Sequence, residues 1–287
     1  MDEDTIKKLK SICHFSYEMD DGFCTSISFH DESQFGNTIR RNSKKNEIVN
    51  EVSKFKRLKS LNLRKCRLGS LPVFKSECLE YLDISCNDLE EFPCWLVGLP
   101  LKFLNIGANR ISQIPDISSM PLETLKLHKN TNLGELPGIG KNIKVLNLFL
   151  LPKMNAIPEE VMNLRSLEVF SFGGTRASLF PDFSLLSDLK WLTLTVNDFE
   201  RIHEEIGSLK KLKGLCLAKN KIEHLPEQMG DLKSLEFLTL YCNRISKLPN
   251  SFFELKLKKL NLSKNVFGDR DKILAERFGK QMEFFRI

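Results

Sequence analysis

A single frame, Leu-x-x-Leu-x-Leu-x-x-Asn-x-Leu-x-x-Leu-Pro, recurs along most of this chain of 287 residues. It opens at Leu58, Leu79, Leu101, Leu122, Ile143, Leu167, Leu189, Leu212, Leu235 and Leu257, in steps of 21 to 24 residues. A repeat this short cannot bury its own leucines, so neighbouring copies must stack and share one continuous core. In Leu61-Asn62-Leu63 two apolar residues flank a polar one, the two-residue period of a short strand with one buried face. Each copy therefore contributes one strand to a parallel sheet.

The rest of the frame has its own physical reading. Asn87, Asn109, Asn130, Asn197, Asn220, Asn243 and Asn265 stand where the chain turns inward, and their amides can satisfy backbone groups of adjacent turns. Leu151 and Thr175 replace this asparagine in two copies, and Cys66 in another. Leu-Pro or Ile-Pro pairs such as Leu71-Pro72, Ile114-Pro115, Leu225-Pro226 and Leu248-Pro249 then end strand pairing, because proline lacks an amide donor. The return segments carry apolar anchors, as in Val161 with Leu164, Ile206 with Leu209 and Phe252 with Leu255. This pattern resembles the leucine-rich repeat family, and segments such as Leu225-Pro226-Glu227-Gln228-Met229 resemble its intracellular type. The resemblance implies an α/β solenoid, curved, with a concave parallel sheet, and recognition of protein partners on that concave surface. It covers about three quarters of the chain and is specific for fold more than for function.

The expected organisation is a cap region over 1–57, repeats over 58–267, and a cap helix with tail over 268–287. Ile48, Val52, Phe55 and Leu58 stand at helical spacing and predict an amphipathic helix over the first repeat. Phe23, Thr25, Ile27 and Phe29 alternate like a strand. Residues 271–278 read as a short helix, followed by an apolar tail with Met282, Phe284, Phe285 and Ile287, either packed back or exposed for a partner.

Hydrophobic residues make up 41% and charged residues 28%, which suits a folded chain. Met1-Asp2-Glu3-Asp4 has neither the basic flank nor the apolar stretch of a secretory signal, so a cytoplasmic location is expected. The eight cysteines are scattered without C-x-x-C spacing and read as reduced repeat residues, with neither metal nor other cofactor implied. Charge is uneven. Residues 1–35 hold three basic and eight acidic groups, whereas 36–67 hold eleven basic groups against Glu47 and Glu51. The basic stretch fits an anionic membrane or nucleic acid, or else neutralisation by Asp20, Asp21, Asp31 and Glu32. The Arg40-Arg41 and Lys44-Lys45 pairs also fit a nuclear-import signal.

Catalytic signatures fail on inspection. The segment from Gly134 to Asn142 resembles a phosphate loop, yet Asn142 stands where a Ser or Thr should hold Mg²⁺. Cys216 and His128 both face the concave side, but four strand spacings, about 19 Å, separate them. His14, His30, His203 and His224 lie outside the central strands. No enzyme is expected.

Three columns of side chains should face the concave solvent side. The first includes Tyr81, Phe103, Val145, Val169, Trp191, Gly214 and Phe237, and the last includes Phe149 and Tyr241. Aromatics beside small residues can anchor a partner, so Tyr81, Phe103, Val145, Phe149, Val169, Trp191, Phe237 and Tyr241 are the candidate partner-binding residues. Phe237 is expected to cluster with Tyr241, and Tyr81 with Phe103. Cross-strand packing alone would account for the same column. A neighbouring column of alternating Lys and Glu, from Lys59 and Glu80 to Lys258, reads as an ion-pair ladder serving register, broken at Lys190 and Lys213. Three roles remain open from sequence: a monomeric cytosolic adaptor for a protein partner; an anionic membrane or nucleic-acid binder using 36–67; and a structural, host-directed effector or immune-receptor-like module.

Overall fold

The computed structural model describes residues 2–12, 15–29, 45–280 and 282–287. Expectations placed on His14, His30, Asp31, Glu32, Arg40, Arg41 and Lys44 fall outside these residues. The fold is a leucine-rich repeat solenoid, and it divides into two compact units, Met1–Ile143 and Lys144–Ile287.

The first unit begins with helix α1 (Asp2–Ile12) and a hairpin of β1 (Ser16–Asp20) and β2 (Phe23–Ser28), both α1 and β1 being additions to the expected cap. Helix α2 (Lys45–Val52) follows and buries Ile48 and Val52; it ends short of the expected 46–58, and Phe55 and Leu58 are buried from the turn after it. Four repeat strands then stack in chain order: β3 (Ser60–Asn62), β4 (Tyr81–Asp83), β5 (Phe103–Asn105) and β6 (Thr124–Lys126). β1 and β2 are antiparallel, while β2 to β6 are parallel. The expected alternation in β2 is broken by a bulge: Glu18 pairs with Ser26 and Met19 with Cys24, leaving Thr25 unopposed. The extra residue turns both Cys24 and Ile27 into the core.

The second unit stacks β7 (Val145–Phe149), β8 (Val169–Gly173), β9 (Trp191–Thr193), β10 (Gly214–Cys216), β11 (Phe237–Thr239) and β12 (Lys259–Asn261). Helix α3 (Asp269–Gly279) leads into the tail, which packs back as β13 (Phe284–Arg286), parallel to β12. Return segments wind as 3-10 turns at Glu159–Asn163, Glu204–Ser208, Glu227–Asp231 and Asn250–Glu254. Pro158, Pro226 and Pro249 precede three of them, fixing φ at −60° to −71° before the turn begins.

The asparagines form the expected ladder. Asn220 Nδ2 donates to the Leu217 carbonyl of its own repeat and the Leu194 carbonyl of the preceding one, both at 2.9 Å, and Oδ1 accepts from Phe199 N at 3.2 Å. Asn87, Asn109, Asn130 and Asn243 repeat this arrangement. Where Thr175 replaces asparagine, its hydroxyl donates to Asn197 Oδ1 at 2.7 Å and continues the relay. Leu151 fills its slot by packing alone and is fully buried.

Around α2 the charges arrange against expectation. Lys8, from the acidic segment, reaches Glu51 at 2.7 Å and Glu47 at 3.7 Å, and Lys54 reaches Glu51 at 2.8 Å. Among the described residues, then, a base of the acidic segment neutralises the two acids of the basic segment. Glu51 is buried and Asp20 and Asp21 are exposed, so the carboxylate that most needs a partner is the one inside.

Candidate partner-binding face

Every Leu-x-Leu strand sends its leucines into the core, so the residues before, between and after them stand on the opposite sheet face. The ladder of charges borders that face: Glu80 pairs with Lys102 at 2.9 Å, Glu168 with Lys190 at 2.8 Å, and Glu236 with Lys258 at 2.8 Å. Each of these glutamates reaches the lysine of the following strand, as the alternation requires.

On the second unit's face, Trp191, Gly214, Phe237 and Lys259 are in register on β9 to β12. The Trp191 indole lies over Gly214, where any Cβ would overlap the ring. It reaches across that strand to the Phe237 ring at 5.4 Å, and Lys259 Nζ sits 5.7 Å from the far side of Phe237. Trp191 remains 42% exposed. Phe237 thus joins Trp191 and not Tyr241, which lies past the end of β11 and beneath Lys264, 5.4 Å away. Val145 pairs with Val169, and Phe149 stands opposite Gly173.

On the first unit's face, Tyr81 and Phe103 stack at 4.2 Å with planes 13° apart, and Lys126 Nζ lies 5.2 Å from the Phe103 ring. His128 lies over Gly107, which has no side chain to obstruct it. Asp83, expected to face solvent, is buried. Its Oδ1 accepts from Ser85 N at 2.9 Å and from the Ser85 hydroxyl at 2.6 Å, and its Oδ2 accepts from Asn105 Nδ2 at 3.0 Å. Ser85, Asn105, Gly107, Gly173 and Gly214 are likewise buried, because long neighbours fold over them. Sequence columns locate the face but not which of its members are covered.

Titration properties here do not favour covalent chemistry. Burial pushes the Cys216 thiol up, which withdraws it from the thiolate form a nucleophile needs. Burial, then Lys129 and Lys126, hold His128 below the ordinary histidine value. The resemblance of residues 134–142 to a phosphate loop also dissolves, since Ile139 bridges to Ile117 and Gly138 backs onto Asp116, with no helix following.

A leucine rich repeat family model matches residues 187–245, and a second matches residues 78–99. The Arabidopsis thaliana protein SUPPRESSOR OF npr1-1, CONSTITUTIVE 1 is 33% identical over 171 residues, which is 57% of this chain; the match spans 12% of that relative's length. A Listeria monocytogenes internalin shares the fold at TM-score 0.70 and 18% identity, covering 97% of this chain and 81% of its own. The plant peptide hormone receptor RGFR1, solved in complex with RGF2, aligns at TM-score 0.59 and 27% identity, covering 74% of this chain and 41% of its own. The matched segments fall on strands whose leucines and asparagines make the bonds described above, and by sequence and fold together the chain is a leucine-rich repeat protein.

Proposed function

We propose that the chain is a non-catalytic recognition module that binds a protein or peptide partner on its sheet face. The observation that carries this reading is Trp191, a large indole held in place by Gly214 and Phe237 yet 42% exposed. A rigid, half-desolvated aromatic loses little freedom on binding and supplies much of an interface's energy. Tyr81, Phe103, Val145, Phe149, Val169, Phe237 and Tyr241 complete the contact surface, with repeats 58–267 as the recognising part and 1–57 and 268–287 as caps. RGFR1, a plant peptide hormone receptor, is similar to 74% of this chain over 41% of its own, and this supports a peptide or protein ligand here. The reading includes a cytoplasmic adaptor that works as a monomer. Cys66 supports a reducing setting, since it occupies a ladder slot, buried, with Sγ 3.5 Å from the Arg64 carbonyl.

The test is partner capture from a cell extract with wild type, Trp191→Ala and Phe237→Ala, alongside thermal melts. The variants are expected to lose captured partners at least tenfold while their melting temperatures stay within a few degrees of wild type. Retained capture with a large stability loss would assign the column to packing. Fractionation and sedimentation check location and monomeric state.

A further inference from the structure

We infer that the sheet face of the first unit is a docking site for an acidic, extended peptide segment, its carboxylates drawn to Arg64, Lys126 and His128 and its side chains laid on the Tyr81–Phe103 plate. The inference deepens the proposed function and rests on it, since it gives the partner's chemistry.

Charge is the first argument. Among the three columns of this unit, Asp83 is the only acid, and its two oxygens are already engaged by Ser85 and Asn105. Arg64 and Lys126 are formally positive, and just beyond the strand ends a depression is lined by Lys65, Arg67, Cys86, Asp88 and Arg110, where Asp88 holds Arg110 at 3.1 Å. A net positive concavity favours a negative ligand and disfavours a basic one.

Unmet hydrogen bonding is the second and independent argument. Arg64 Nε and His128 Nδ1 are both shielded from solvent and have no hydrogen-bond partner among the described residues. An unpaired buried polar group is costly, and the cost is recovered when a carboxylate accepts from it after a side-chain rotation. Arg64 and His128 follow β3 and β6, and Lys126 lies on β6, so an extended segment crossing the four strands meets all three. The two rings, stacked 4.2 Å apart on neighbouring strands and half-buried, add apolar edges that an extended segment can contact.

The test uses the full chain and a fluorescent decaglutamate peptide with one central phenylalanine, beside counterparts in which glutamine or lysine replaces glutamate. Wild type is expected to bind the acidic peptide at least tenfold more tightly than the glutamine one. Arg64→Ala and Lys126→Gln are each expected to reduce that ratio severalfold, with Lys126→Gln serving if Arg64→Ala fails to fold. Calorimetry in buffers of differing ionisation enthalpy should show proton uptake on binding near pH 6.5, absent in His128→Gln, because an anion opposes Lys129, Lys126 and Arg64 around the imidazole. Equal affinity for the acidic and glutamine peptides overturns the proposal, as does a preference that survives both substitutions. Tighter binding to phosphatidylserine vesicles or duplex DNA, lost in the same variants, also overturns it and makes the face a general polyanion site. Loss of the peptide preference with Trp191-dependent capture intact strikes this inference alone. The converse result strikes Trp191 as the anchor of the proposed function and leaves this inference standing.

Discussion

In each repeat the residue ahead of the ladder position takes a left-handed backbone, with φ between 53° and 60° at Lys65, Cys86, Ala108, Lys129, Leu150, Val196, Lys219, Cys242 and Lys264. That conformation points the following asparagine inward and costs an L-residue about 1 kcal/mol, more when the side chain is β-branched. Val196 is the β-branched case, and its side chain is exposed. Val196→Asn is therefore expected to stabilise the chain by about 1 kcal/mol, seen as a higher denaturation midpoint with an unchanged slope. His128 acts in the opposite sense. Its folded value lies below the ordinary 6.5, so folding favours the neutral ring. Its stability contribution is complete above that pH and is lost as the pH falls below it. The melting temperature should decline more steeply below pH 6.5 in wild type than in His128→Gln. Left-handed positions were not legible in the sequence, because apart from Gly174 they are held by lysine, cysteine, alanine, leucine and valine, where glycine would have announced the turn.

At the scale of the element, strand register is the assignment on which every face residue depends. Leu215 and Leu238 are paired neighbours on β10 and β11 and are at most 2% exposed. Leu215→Ala should cost about 2 to 5 kcal/mol, since the stack has little room to collapse, and binding should fall only in proportion to unfolding. The tail gives a second check: Arg286 O accepts from Leu262 N at 2.7 Å, and Lys258 O accepts from Glu283 N at 3.0 Å. Removing residues 283–287 should accelerate exchange of the Leu262 amide while Leu238 stays protected. Repeat strands were legible because ten copies report one another's register. Helix α1 and strand β1 had no copy to compare with. Only Ile6 and Leu9 of α1 are buried, too few to mark a helix by periodicity. The bulge at Thr25 shifted the inward position at the start of β2 to Cys24 while Ile27 kept its own, and it went unread for the same reason, since an inserted residue leaves no trace in a strand that occurs once.

For the molecule as a whole, the sequence located the solvent-facing side of the sheet but not its organisation. Trp191 over Gly214 and His128 over Gly107 are contacts between strands more than twenty residues apart, and they decide which polar groups are covered. The direction of the asparagine ladder has a further consequence. Asn87 bonds to Leu63 and Leu68, Asn109 to Ile84 and Leu89, Asn220 to Leu194 and Phe199, and Asn265 to Leu240 and Ile245; every reach is backward to the preceding repeat. A ribosome releases the earlier repeat first, so each asparagine leaves the exit tunnel after its bonding partners. Growth of the chain and growth of the fold then share one polarity, and a nascent chain halted after any of these repeats holds no ladder asparagine waiting for sequence yet to be translated.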